Sequence, residues 1–136
     1  MTRAIPILEQ FVTQKTVVLT SFRKNGVGVP TPVNIAVDGD RAFAKTWKTS
    51  GKYKRIRNNP HVTIAPSTFK GKQTGVAIAM TARFVSGADF ELARRLIESK
   101  HPIFQRTFVR LAHRLQRVET VFMELRPEDP AGEIPA

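Results

Sequence analysis

The chain has 136 residues, no cysteine and a formal net charge of +11. This length suits a single domain spanning residues 1–136, and the lack of cysteine excludes disulfides, thiolate nucleophiles and cysteine-based metal sites. No segment approaches the ~20 apolar residues of a membrane span, so we expect a cytoplasmic protein with no membrane partner. The excess of basic residues favours an anionic ligand.

The first half of the chain predicts four strands separated by turn residues. The turn Lys24-Asn25-Gly26 separates the first two strands. Asp38-Gly39-Asp40 favours a tight hairpin, so the third strand should return antiparallel to the second. A short basic helix begins after Ser50 and ends at Asn59-Pro60, before the fourth strand. The predicted strands are residues 16–22, 33–37, 41–47 and 61–65.

The second half predicts two more strands and two helices. Apolar and polar residues alternate over residues 76–84, as in a strand with one buried face. Helices are predicted to begin at Asp89 and at Pro102. A last strand over residues 118–125 precedes a proline-containing tail, residues 127–136, for which we expect little order. The apolar faces of the helices consist of Phe90, Ala93, Leu96 and Ile97, and of Phe104, Phe108, Leu111 and Leu115.

Six antiparallel strands with few helices indicate a mainly β fold, a six-stranded antiparallel barrel whose core covers about residues 14–126. Barrel closure removes exposed sheet edges. The interior of so small a barrel is filled by side chains. A large cofactor would therefore lie on the outer surface or in a groove shared with another subunit, and we expect a homodimer.

The segment 45–60 joins the third strand to the basic helix and predicts an anion site. Ser50 is a good N-cap residue, and the N–H groups of Gly51 and Lys52 lie where the helix dipole favours negative charge. The range 41–72 contains nine Lys or Arg and no Asp or Glu. A phosphorylated, polyanionic ligand would suit this charge, although a solvated basic surface is the alternative.

Several common kinds of active site have no counterpart in the sequence. The basic segment is not a P-loop, because Tyr53 stands where Ser or Thr would bind magnesium. The three histidines lack metal-binding spacing, and neither a nucleophile elbow nor a dinucleotide-binding glycine motif occurs. Nucleic acid is a less favoured partner, because most Phe residues fit core patterns. We expect no metal, and any catalysis would depend on a bound cofactor.

The order of strand end, Ser-x-Lys helix, Asn-Pro and next strand resembles the split β-barrel flavin and deazaflavin proteins related to pyridoxamine 5′-phosphate oxidase. The matching residues are Thr46, Ser50, Lys52, Ile56 and Asn59-Pro60. The resemblance implies a split β-barrel of the FMN-binding kind. It also implies that Thr46, Ser50 and Lys52 hold the phosphate of the cofactor.

Two departures from the oxidases bear on the cofactor. The oxidases carry an Arg beside the Lys and an Arg-rich second strand that binds FMN, whereas this chain has Gly51 and Pro30-Thr31-Pro32-Val33-Asn34. The motifs Thr-Pro-Val-Asn, Thr-Trp-x-Thr-Ser-Gly-Lys, Asn-Asn-Pro-x-Val-Thr-x-Ala-Pro and Lys-Gly-x-x-Thr-Gly are similar to an actinobacterial and mycobacterial branch of deazaflavin-dependent proteins. Their cofactor is coenzyme F420, which carries a phosphate and a polyglutamate tail.

The resemblance therefore implies an F420-dependent oxidoreductase, a reductase that transfers hydride from reduced F420 to a small organic substrate. An FMN-binding oxidoreductase and a non-catalytic F420-binding protein are the alternatives. No catalytic side chain is implied. Lys48 and Arg57 are further candidates for attracting the tail. The implied cofactor-binding residues are Pro32, Val33, Asn34, Lys45, Thr46, Trp47, Thr49, Ser50, Gly51, Lys52, Arg55 and Pro66.

Overall fold

A computed structural model of the chain describes residues 3–100 and 119–129. The strands are β1 (Thr16–Phe22), β2 (Gly28–Asp38), β3 (Arg41–Trp47), β4 (His61–Pro66), β5 (Ile78–Phe84) and β6 (Thr120–Pro127). A 3-10 helix (Pro6–Phe11) precedes β1, α1 (Gly51–Asn58) follows β3, and α2 (Gly87–Lys100) follows β5. Within the described residues, no helix has the length and apolar character needed to cross a membrane.

The six strands form one closed antiparallel barrel in the order β1-β2-β3-β6-β5-β4. This confirms the predicted mainly β, six-stranded antiparallel barrel. Alternate residues of each strand point inward, and their side chains fill the interior. The largest of these fully buried side chains include Leu19, Ile35, Ile64, Met80, Met123 and Leu125.

Helices cover both ends and one outer face of the barrel. The 3-10 helix is tied to the β2–β3 turn by a 3.0 Å hydrogen bond from the Ile5 N–H to the Gly39 carbonyl, and its apolar side chains join the barrel core. At the other end of β3, α1 adds Ile56 to the same core. On the outer face, α2 packs Ala93 and Ile97 against β2, β3 and β6. Phe90 and Leu96 belong to this contact, which confirms the predicted apolar face of the helix.

Strand β2 is longer than predicted, because it begins at Gly28 and includes Pro30 and Pro32. The prediction began after these prolines, since proline cannot donate to a strand ladder. In the structure both prolines pair opposite β1. The other edge of this part of β2 has no strand partner among the described residues, and proline is tolerated at such an edge.

Three further boundaries differ from the prediction. Val76 precedes β5 and is 44% exposed, so the inward alternation starts only at Ile78. The α2 helix begins at Gly87 rather than at Asp89. Pro127 lies in β6 opposite Met80, so the strand extends past residue 125 into the segment assigned to the tail. The helix predicted from residue 102 and the tail from residue 130 lie outside the described residues.

Candidate cofactor-binding site

A split in the barrel separates part of β2 from part of β3. Strand β2 pairs with β1 through residues 28–34 and with β3 only through residues 35–38. Residues 45–47 of β3 pair with β6 but not with β2. Within the described part of the chain, one edge of each segment therefore has no strand partner. The split ends where α1 begins.

Side chains beside the split alternate between the core and the outer face. Val33 belongs to the barrel core, and Thr46 is only 2% exposed. The Lys45 Nζ lies 5.1 Å from the centre of the Trp47 ring. Burial lowers the pKa of Lys45, partly opposed by the nearby Glu98 carboxylate of α2. The exposed or half-buried side chains on this outer face are Pro32, Asn34, Lys45 and Trp47.

Ser50 caps the start of α1, as the sequence predicts. Its hydroxyl accepts a 3.2 Å hydrogen bond from the Tyr53 N–H and donates a 2.8 Å bond to the Trp47 carbonyl. The Thr46 hydroxyl lies 3.2 Å from the hydroxyl oxygen of Ser50. The bond to the Trp47 carbonyl uses the single hydroxyl proton of Ser50. Ser50 therefore links the end of β3 to the first turn of α1 and holds the helix start in place. The N–H groups of Gly51 and Lys52 have no acceptor among the described residues.

Lys52 is a half-buried cation at this helix start. Burial, and secondly the positive charge of Arg55, lower its pKa to about 8. No carboxylate of the described residues forms an ion pair with Lys52. A bound anion would counteract both causes of the pKa shift, since it would supply the opposite charge that the site lacks.

Arg55 reaches back from the next turn of α1 to cover Gly51. A Cβ atom placed on Gly51 would lie only 2.8 Å from the Arg55 Nη1. The guanidinium is held there by a 2.7 Å hydrogen bond from its Nε to the hydroxyl of Ser21, a side chain without exposed surface. Arg55 therefore occupies the space that a side chain at position 51 would take. The helix start carries two cations, Lys52 and Arg55.

The other predicted residues lie around this centre at different distances. Thr49 is exposed in the turn before Ser50. Pro66 is paired with Val17, at the opposite end of β1 from Ser21, so the structure does not bring it to the helix start. Lys48 and Arg57, the candidates for attracting a tail, contact neighbouring side chains: the first forms a 3.4 Å ion pair with Glu119, and the second lies 5.7 Å from the Tyr53 ring centre.

Two residues with positioning roles were missed from the sequence. Ser21 falls in the inward phase of β1 beside Leu19, and a polar residue in that phase is a signal that a partner must reach it. Lys100, at the end of α2, donates a 3.1 Å hydrogen bond to the Ile35 carbonyl. Burial, and then repulsion from Lys15, lower the pKa of Lys100 to about 8.

Within the described residues, no group of three or more acidic or histidine side chains could hold a metal ion.

No protein-family model matches the sequence, and a comparison with curated proteins finds no match either. Solved structures do match. A candidate pyridoxamine 5′-phosphate oxidase from Listeria innocua aligns at 20% identity and a TM-score of 0.58, over 90% of this chain and 88% of its own. A structure named as an F420 reductase aligns at 14% identity and a TM-score of 0.61, over 88% of this chain and 91% of its own.

A third match has a different ligand in its name. HutZ, described as a heme storage protein from Vibrio cholerae, aligns at 18% identity and a TM-score of 0.64, over 93% of this chain and 92% of its own. The chain thus has the split β-barrel fold of proteins related to pyridoxamine 5′-phosphate oxidase. Because the named proteins differ in ligand, the fold alone does not select a cofactor.

Proposed function

We propose that the protein is an F420-dependent oxidoreductase that reduces a small organic substrate. The observation that carries this proposal is the start of α1, where half-buried Lys52 and fixed Arg55 flank two backbone N–H groups that have no acceptor within residues 3–100 and 119–129. Two cations and a helix N-terminus together form a phosphate site. Along the split, the outer face beside this site carries the exposed or half-buried side chains of Pro32, Asn34 and Trp47.

Each residue of the site has a proposed role. The phosphate would accept hydrogen bonds from the backbone at Gly51 and from Lys52 and Arg55, while Thr46 and Ser50 hold the helix start. The flat ring of the cofactor would lie along the outer face near Asn34 and Trp47. When bound, F420 supplies hydride chemistry. The protein then needs to orient the substrate and exclude water, which requires no acid or base side chain.

Coenzyme FMN is the second candidate, and one observation favours it. The absence of an Arg beside Lys52 is compensated by Arg55, whose guanidinium covers Gly51. Position 51 therefore does not discriminate between the two cofactors. The second strand still lacks arginine, and the four cations of α1, Lys52, Lys54, Arg55 and Arg57, suit a polyglutamate tail better than they suit FMN.

We further propose that two copies of the chain form the complete site. The filled barrel cannot enclose a coenzyme of this size, so the ring would lie on the outer face. Phe69 is 78% exposed on the β4–β5 loop. The same loop approaches the split, because a Cβ on Gly71 would lie 3.4 Å from the Cβ of Pro32. An exposed aromatic beside the proposed site suits a subunit contact.

Hydride transfer tests the catalytic part of this proposal. Reduced F420 is mixed with the purified protein and a panel of small organic acceptors under anaerobic conditions, and its oxidation is followed by absorbance. We expect oxidation that depends on both the protein and one class of acceptor. Tight binding of F420 without oxidation by any acceptor would instead identify a non-catalytic F420-binding protein.

A further inference from the structure

A second basic region lies at the same end of the barrel but on the other side of Arg55. It is a pocket of about 510 Å³ between the β1–β2 turn and the C-terminal half of α1. Its lining includes four cations, Arg23, Lys24, Lys54 and Arg55, together with Phe22 and Asn58. Lys52, which defines the phosphate site proposed above, does not line this pocket.

The four cations of this pocket have no ion-pair partner among residues 3–100 and 119–129. Other cations of the chain do pair: Arg41 and Arg126 both contact the Glu124 carboxylate, and Arg94 contacts two glutamates of α2. Like charges around one cavity repel each other. The C-terminal end of α1 offsets only part of this repulsion, because the effect of a helix dipole is confined to about one turn.

The walls of the pocket are held in place by local contacts. The β1–β2 turn is closed by hydrogen bonds between Arg23 and Val27 and between Gly26 and Arg23, at 3.0 and 2.8 Å. The Phe22 ring stacks on His61, with 5.3 Å between ring centres. Arg55 is fixed by its bond to Ser21. These contacts fix the turn backbone and Arg55, whereas the exposed side chains of Arg23, Lys24 and Lys54 would be ordered by a bound ligand.

We propose that this pocket is a second oxyanion site, which binds an anion carrying two or more negative charges on its phosphate or carboxylate groups. Guanidinium and ammonium groups donate to such oxygens from several directions, and the Asn58 amide adds a neutral donor. Arg55 is common to the pocket and to the helix start. The anion is either a separate small molecule or an extension of the ligand bound at Lys52, the second case resting on the function proposed above.

Pyrophosphate and citrate are suitable probes, measured by isothermal titration at constant ionic strength. The pocket variant combines Arg23→Gln, Lys24→Gln and Lys54→Gln. Its matched control combines Lys70→Gln, Lys72→Gln and Arg95→Gln, three exposed cations outside the pocket, so each variant loses three positive charges. We expect at least tenfold weaker binding of one probe or both in the pocket variant. The control variant and Lys52→Ala should retain pocket binding, and thermal unfolding should show that all variants fold.

Two results would overturn this proposal. Equal weakening in the pocket and control variants would mean that the probes respond to net charge alone. Loss of binding in Lys52→Ala only would assign the probes to the helix start.

Titration of F420 with and without its polyglutamate tail distinguishes the two sources of the anion. If the pocket variant binds only the long-tailed form more weakly, the anion is the tail. If it binds only the free probes more weakly, the anion is a separate ligand. Failure of F420 to bind at all leaves the pyrophosphate comparison intact.

Discussion

The Arg55 guanidinium donates a 2.7 Å hydrogen bond to the buried hydroxyl of Ser21, and this bond joins α1 to the inner face of β1. It fixes a permanent positive charge against the backbone of Gly51. The guanidinium thus reaches position 51 from one helical turn later in the chain. A Cβ at position 51 would lie 2.8 Å from the Arg55 Nη1, so a side chain there would displace this guanidinium.

Replacing Ser21 by Ala should weaken cofactor binding, although Ser21 itself does not contact the cofactor in the proposed site. The substitution removes the partner that orients Arg55, and we expect a loss of about 1–2 kcal/mol in the free energy of unfolding from the lost charged hydrogen bond. The affinity for a phosphate-bearing cofactor should also fall. In the background Arg55→Ala, Ser21→Ala should cause no further loss of affinity; an undiminished effect there would show that Ser21 acts by another route.

The direct phosphate contact is tested by Lys52→Ala. We expect F420 to bind more weakly by about 1.5–3 kcal/mol, the range for a charge-assisted hydrogen bond. The stability of the fold should hardly change, because Lys52 is half-buried and forms no ion pair with a carboxylate in the described part of the chain. Arg95→Ala, which removes an exposed cation from α2 outside the proposed site, is the matched control. If Lys52→Ala binds F420 with unchanged affinity, the phosphate does not bind at the start of α1.

Cofactor binding should depend on pH through Lys52. Its pKa in the free protein is lowered to about 8, so the charged form that attracts phosphate is lost as pH rises through 8 rather than near the ordinary value of 10.5. Affinity measured between pH 6.5 and 9.5 should fall above pH 8, at most about tenfold per unit. Lys52→Arg should remove this fall, since arginine stays charged. If the variant keeps the full pH dependence, another group such as Lys100, whose pKa is also about 8, is responsible.

A buried carboxylate on β6 supports the fold rather than the site. Glu124 is 4% exposed and accepts hydrogen bonds from Arg41 at 2.8 Å and Arg126 at 3.0 Å. Burial alone would raise its pKa, but these bonds outweigh burial and lower it. We expect Glu124→Gln to cost about 2–4 kcal/mol in unfolding free energy at pH 7.

The pH dependence of this loss provides a check. A depressed pKa stabilises the fold above the unfolded value and loses that contribution as pH falls through the folded value. The difference in denaturant stability between wild type and Glu124→Gln should therefore shrink on acidification below about pH 4. A difference that stays constant down to pH 2 would contradict the assignment.

Subunit association is tested at the exposed aromatic of the β4–β5 loop. Phe69→Ser should weaken a dimer measured by sedimentation equilibrium and should weaken cofactor binding in parallel, because the partner would complete the site. Val27→Ser, at an exposed apolar residue on the β1–β2 turn, should change neither. A monomer with full cofactor affinity would contradict the two-subunit site.

Local sequence patterns were sufficient to predict most of the fold. Asp38-Gly39-Asp40 specified the β2–β3 hairpin, and Ser50 specified the start of α1, because both features depend on residues adjacent in the chain. Two of the boundaries that failed, at Pro30 and Pro127, involve prolines inside strands. Their tolerance depends on which strand lies alongside, and no local pattern contains that information.

The arrangement of the site was harder to predict for the same reason. The sequence indicated Lys52 as a phosphate ligand from its place in a helix start. It gave no sign that Arg55 would cover Gly51, since that contact depends on Ser21, a residue 34 positions away. The second basic pocket likewise combines residues 22–24 with the far end of α1, which only the folded barrel brings together.

We propose that the start of α1 binds the phosphate of F420, and that the protein as a whole binds F420 in preference to FMN. Equilibrium dialysis of the purified protein against each cofactor, at one pH and one ionic strength, tests it most directly. We expect F420 to bind at least tenfold more tightly than FMN, with most of that affinity lost in Lys52→Ala. Tighter binding of FMN, or F420 binding that Lys52→Ala leaves unchanged, would contradict the account.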